Sequence, residues 1–100
     1  MSYRAPYKDL KILDISQGFA GPYCAGILAL YGADVTKVDP PEGDWVRHIG
    51  TRFGDHTALS IVANRAKHSI CLNLKKDESR ELVLEMARDA DVMVESFRPG

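Results

Sequence analysis

The chain has 100 residues, 45% of them hydrophobic and 27% charged, with a formal net charge of -1 at pH 7. That length supports one domain with a real core, and the composition is that of a folded globular chain rather than a disordered or membrane-embedded one. Its 13 basic residues are scattered rather than gathered into a tract, which argues against a general nucleic-acid surface and leaves small, locally recognised anions as candidate ligands.

The N-terminal stretch "MSYRAPYKDL" has no apolar run behind its basic side chains. Positions 1–9 therefore read as an extension without a secretory signal, and the expected address is the cytoplasm. No apolar run reaches the roughly 18 residues of a spanning helix, so no membrane partner is expected. From Leu10, "LKILDI" reads as a buried strand. The loop "SQGFAGP" follows it. In "PYCAGILALYG", Pro22 suits a first helical turn and Gly32 a helix C-terminus, which brackets a helix over 22–31 with Cys24, Ile27, Leu28 and Tyr31 on one face. "ADVTKVD" alternates as a second strand, stopped after Asp39 by "PP". The unit is β-α-β, and its crossover predicts parallel strands.

Residues 40–57, "PPEGDWVRHIGTRFGDHT", show no sustained period and read as a long surface excursion. "ALSIVANR" makes a short helix and "HSICLNL" a third strand. In "KKDESRELVLEMARDAD", Asp77 is the expected N-cap, and Leu82, Val83, Met86 and Ala90 form one stripe. "DVMVES" closes as a fourth strand, followed by the loop "FRPG". This order predicts an α/β fold: a Rossmann-like open parallel sheet of about four strands with flanking helices. Ligands of such sheets sit beyond the carboxyl ends of the strands, where "SQGFAGP", "DPPEGD", "NLKK" and "SFRPG" all fall.

Several chemistries are weak here. Gly18, Gly21 and Asp39 mimic a dinucleotide fingerprint, but the loop is G-x-x-G with Pro22 directly behind it, not G-x-G-x-x-G. Ser16 and Ser60 lack an adjacent His or an elbow motif. His48, His56 and His68 share no ligand spacing, and Cys24 and Cys71 read as two reduced, buried thiols, so no metal is expected.

The loops are more informative together. "LDISQGFAGPYCAGILALYGADVTKVDPPEGD", "NRAKHSICLNLK" and "ADVMVESFRPG", in that order and spacing, resemble the N-terminal part of the class III coenzyme A transferases of the CaiB/BaiF type, a family that includes formyl-CoA transferase-like and acyl-CoA racemase-like enzymes. The resemblance runs from about Leu10 to Gly100. It implies a Rossmann-like CoA-binding portion over 10–100, incomplete at its C-terminus, within a larger fold in which two long chains interlock as a homodimer. It also implies coenzyme A or an acyl-CoA thioester as substrate, with the remainder of the chain as a further partner. Carried over by position, the implied CoA contacts are Gly18, Phe19 and Ala20 after the first strand, Leu72, Asn73, Leu74 and Lys75 after the third, and Ser96, Phe97 and Arg98 after the fourth.

The chemistry of those positions agrees: amides near Ala20 and Gly21 suit a phosphate or an adenine edge, Phe97 offers a flat face, and Lys75 and Arg98 pair with phosphate oxygens. Some relatives carry an arginine where this chain has Pro40. Arg47 or Arg52 is the expected substitute for its phosphate contact. The family's nucleophilic aspartate, which forms an acyl anhydride that CoA then attacks, has no match in these residues, nor has the His and Asp pair of the racemase branch. The expectation is thus a CoA-binding portion of a longer transferase, inactive alone, with a racemase or a stand-alone nucleotide-binding module as alternatives.

Overall fold

Alternation along the first strand divides the core. Ile12 packs with Ala25, Ala29, Ala33 and Val35, whereas Leu13 packs with Ile15 and Val38 on the opposite face of the sheet. The structure, a computed structural model, describes residues 5–99; the first four positions of the extension and Gly100 lie outside the described residues. The elements are β1 (Lys11–Asp14), α1 (Ala20–Leu30), β2 (Asp34–Asp39), a 3-10 turn (Trp45–His48), β3 (Arg52–Phe53), β4 (His56–Thr57), α2 (Ala58–Asn64), β5 (His68–Cys71), α3 (Asp77–Asp89) and β6 (Val92–Val94).

Four strands pair in parallel in the order β5-β2-β1-β6, as the βαβ pattern predicts. The chain builds outward from β1 through β2 to β5 and then returns to add β6 on the other side of β1. Strand order therefore reverses between β1 and β6, and the loops leaving these two strands diverge there. Helix α1 covers one face, and Val83, Met86 and Ala87 of α3, with its C-cap residue Ala90, pack on the other.

Helix α1 docks by its small residues. Pro22, Ala25, Gly26 and Ala29 are buried, while Cys24, Ile27 and Tyr31 of the expected apolar face point outward and Leu28 is half-buried. The reason is close approach: a Cβ on Gly26 would stand 2.6 Å from the Ala63 carbonyl of α2, so only glycine lets the two helices meet. The helix also starts two residues earlier than expected, with Pro22 inside its first turn, where no N–H is needed.

Other boundaries shift for local reasons. Lys76, not Asp77, is the N-cap of α3; Asp77 opens the helix and pairs with Arg80 instead. β5 ends at Cys71, leaving Leu72–Leu74 outside the strand, and a turn follows in which the Lys76 N–H donates to the Asn73 carbonyl and the Lys75 N–H to Asn73 Oδ1. Both cysteines are free but exposed rather than buried, Cys24 on the outer face of α1 and Cys71 on the edge strand. The 40–57 excursion is anchored, not loose: Asp44, Val46 and Thr57 are each 1% exposed, and Thr57 and Ser60 cap α2 reciprocally. Residues 5–9 of the extension dock on the α1–β2 corner, where the Tyr7 N–H donates to the Tyr31 carbonyl at 3.1 Å.

Candidate functional site

Two clefts open at the carboxyl ends of the strands. One, of about 410 Å³, lies between the β2 and β5 ends and is lined by Ile15, Val38, Pro40, the Leu72–Lys75 turn and Phe97. The second, of about 650 Å³, lies at the switch point and is lined by Phe19, Ala20, Gly21, Trp45 and the Ser96–Arg98 segment. Gln17 and Phe97 line both, so the clefts adjoin. Of the ten positions expected from the sequence, nine fall here: Leu72, Asn73, Leu74 and Lys75 in the first cleft, Phe19, Ala20, Ser96 and Arg98 in the second, and Phe97 in both.

The tenth, Gly18, lies behind the wall. Its φ is +90°, a conformation glycine adopts without strain, and a Cβ there would stand 2.2 Å from Cζ2 of Trp45. Its N–H is already engaged by Asp44 Oδ1 at 2.8 Å. Gly21 serves a second close approach, since a Cβ there would stand 2.5 Å from that of Ser16. The G-x-x-G thus seats Trp45 and brings the N-terminus of α1 down onto the end of β1. Phe19, its N-cap residue, supplies no side-chain cap, and Pro22 has no N–H; Ala20 and Gly21, which open the first turn, line the switch-point cleft.

Beneath these loops the α1–α2 face of the sheet changes from apolar to charged. After Ile12 and Val35 come Asp14, Lys37 and Asp39, all at most 6% exposed. Lys67 Nζ donates to Asp14 Oδ2 at 2.7 Å, to the Pro22 carbonyl at 2.7 Å and to Asn64 Oδ1 at 2.8 Å, which uses all three of its protons. Ser16 donates to the other Asp14 oxygen through both its N–H and its hydroxyl. Lys37 donates to Asp44 Oδ2 at 3.0 Å and to the Ser16 carbonyl. Arg47 donates to Asp39 Oδ2 at 3.3 Å. Three carboxylates thus face three cations, and buried charge is tolerable only when matched in this way.

Burial pushes the Lys67 ammonium below the usual lysine range against the pull of Asp14. Burial likewise raises the Asp39 carboxyl above an isolated aspartate's 3.8, against Lys37 and Arg47. Its Oδ1 accepts no hydrogen bond among the described residues and stands 3.9 Å from Lys37 Nζ. A raised folded-state pKa means that the native state holds this proton longer than the unfolded chain, so stability falls as pH rises through and above 3.8. Chemical denaturation from about pH 3 to about pH 6 should show the wild type losing stability relative to Asp39→Asn. A gap between the two that is constant, or that moves the other way, would contradict the sign.

Of the two arginines expected as the substitute phosphate contact, Arg47 donates to Asp39, and both Arg47 and Arg52 line a third cleft with Glu42 and Asp55. Sequence reasoning missed Trp45, whose signal was a lone tryptophan in a Gly- and Pro-rich loop, and missed Lys37 and Lys67 as buried cations. Among the described residues no group of His, Cys, Asp and Glu is placed to hold a metal, and no helix is long and apolar enough to cross a membrane.

Comparison with known proteins agrees with this architecture. The profile of CoA-transferase family III matches residues 7–100. An acetyl-CoA:oxalate CoA-transferase from Acetobacter aceti is 41% identical over 97% of this chain and 25% of its own length. A succinyl-CoA:mesaconate CoA-transferase from Haloarcula marismortui is 45% identical over 92% of this chain and 24% of its own. The chain therefore spans about a quarter of the length of these relatives. Among solved structures, a CaiB/BaiF family protein from Brucella suis superimposes with a TM-score of 0.86 at 35% identity, covering 94% of this chain and 26% of the other. With a parallel sheet, adjoining clefts at its strand ends and a profile match over residues 7–100, the chain belongs to CoA-transferase family III.

Proposed function

We propose that these residues form the CoA-binding portion of an enzyme that transfers coenzyme A between carboxylic acids. The carrying observation is the convergence of three separate loops, after β1, β5 and β6, on two adjoining clefts at the strand ends. CoA is long, with a flat anionic nucleotide at one end and a thiol at the other, and two connected clefts suit such a molecule. In this reading the nucleotide lies against Ile15, Val38, Leu72 and Phe97, with Lys75 at its phosphates. The pantetheine arm then passes Phe97 into the switch-point cleft, where Arg98 and the amides of Ala20 and Gly21 meet oxygen atoms of the ligand.

The chain's own part is to bind and orient. The covalent step that the resemblance implies, an acyl anhydride on an aspartate opened by the CoA thiol, is assigned to residues outside these 100. No residue of α3 is buried, and Leu84, Val92 and Met93 are exposed, so this reading has further chain or a second copy covering that face, in a cytoplasmic homodimer. Calorimetric titration of the folded chain is the test. Saturable heat with CoA and none with NAD is the expected result; binding of NAD instead would return the site to the dinucleotide class and overturn the proposal.

A further inference from the structure

Trp45 is held in an unusual way for a surface aromatic. Its neighbours Asp44 and Val46 are each 1% exposed, whereas Trp45 is 52% exposed. The ring packs on Gly18, and the Asp44 carboxylate beside it accepts from the N–H groups of both Gly18 and Val46, at 2.8 and 3.0 Å. One rigid clamp therefore fixes the indole and the β1–α1 loop together. The exposed part of the ring lines the switch-point cleft. Phe97, 52% exposed, lines it too, and so does Phe19, whose ring stacks on Tyr23 with centroids 5.1 Å apart. Three half-exposed aromatic rings around one cleft form an apolar surface that a ligand would desolvate.

We propose that the Trp45 indole is a wall of the ligand site that packs on the pantetheine–thioester end of CoA. The inference rests on the CoA reading above and adds to it a contact carried by none of the ten expected positions. The end of the molecule follows from the chemistry of the two clefts. The neighbouring cleft combines a flat apolar slot with Lys75 and takes the nucleotide, so what continues past Phe97 is the amide chain and the thioester. An aliphatic chain of that kind gains most from broad apolar rings held in place before it binds.

Trp45 is the single tryptophan of the chain, so its emission reports on this wall alone. The experiment titrates the chain with CoA and, separately, with adenosine 3′,5′-bisphosphate, the nucleotide half without its arm, following heat and tryptophan emission on the same samples. Heat from both ligands with an emission change from CoA only is the expected result. Trp45→Ala should weaken CoA about fivefold and leave the bisphosphate nearly unchanged, and Trp45→Phe should retain most of the affinity. A cooperative melt of each variant confirms that it is folded.

Heat from CoA with unchanged emission overturns the contact. An emission change with the bisphosphate, or equal weakening of both ligands by Trp45→Ala, overturns the assignment to the thioester end. Absence of heat from CoA on a folded sample overturns the CoA reading itself, and this inference with it.

Discussion

Lys67→Met is expected to cost about 3–5 kcal/mol, a large share of the total stability of a domain this size. The substitution nearly preserves volume, so the loss is electrostatic: Asp14, 0% exposed, would keep Ser16 but lose the one cation that lies within 4 Å among the described residues. The Pro22 carbonyl would also lose its lysine donor, and with it the tie that holds the first turn of α1 over β1. Removing both charges should hurt less. In urea unfolding, the double variant Asp14→Leu, Lys67→Met is expected to be more stable than Lys67→Met alone, because the single change strands a buried charge and the double change does not. A single variant within about 1 kcal/mol of wild type would show that Asp14 finds water or another partner.

Asp44→Ala carries the second large effect, and it reaches the site. The carboxylate accepts from Gly18, Val46 and Lys37, so its removal leaves two buried amides without an acceptor and the Lys37 ammonium with only the Ser16 carbonyl and the more distant Asp39. The expected cost is again about 3–5 kcal/mol. Asp44→Asn keeps an acceptor oxygen for the amides but no charge for Lys37, and should fall between. Because the same contacts seat Trp45 against Gly18, CoA affinity should fall in step with stability across the pair. A folded Asp44→Ala variant that binds CoA as wild type does would separate the clamp from the site.

Much of this architecture was legible in the sequence. The four parallel strands, the helices between them and the carboxyl-end loops follow from β-branched runs punctuated by Gly and Pro. The strand order that creates the switch point needed the fold. The failures have one physical source, which is that local pattern does not say what lies opposite. Helix α1 presented its large residues as the natural buried face, but a close crossing with α2 selected Gly26 and the alanines instead. In "ADVTKVD", Lys37 and Asp39 follow Val35 on one face of the strand, so the local alternation sets charged and apolar side chains on the same phase. The fold buries those charges under the 40–57 segment, and they persist because partners 7 to 21 positions away meet them. Distance along the chain hid Lys67 in the same way.

The site was read by a different route. Nine of its ten expected positions came through resemblance to a family and fell together in space, but Gly18 proved to carry the wall rather than line it. Trp45 was passed over because the segment that holds it has no periodicity to mark it as ordered.

The most direct measurement is a crystal structure of the chain with CoA bound. The account predicts density running from the Leu72–Lys75 turn past Phe97 into the cleft between Trp45 and Arg98. Density confined to the groove between β1, β2 and α3, lined by Lys11, Asp34 and Asp89 near the other end of the strands, would contradict it.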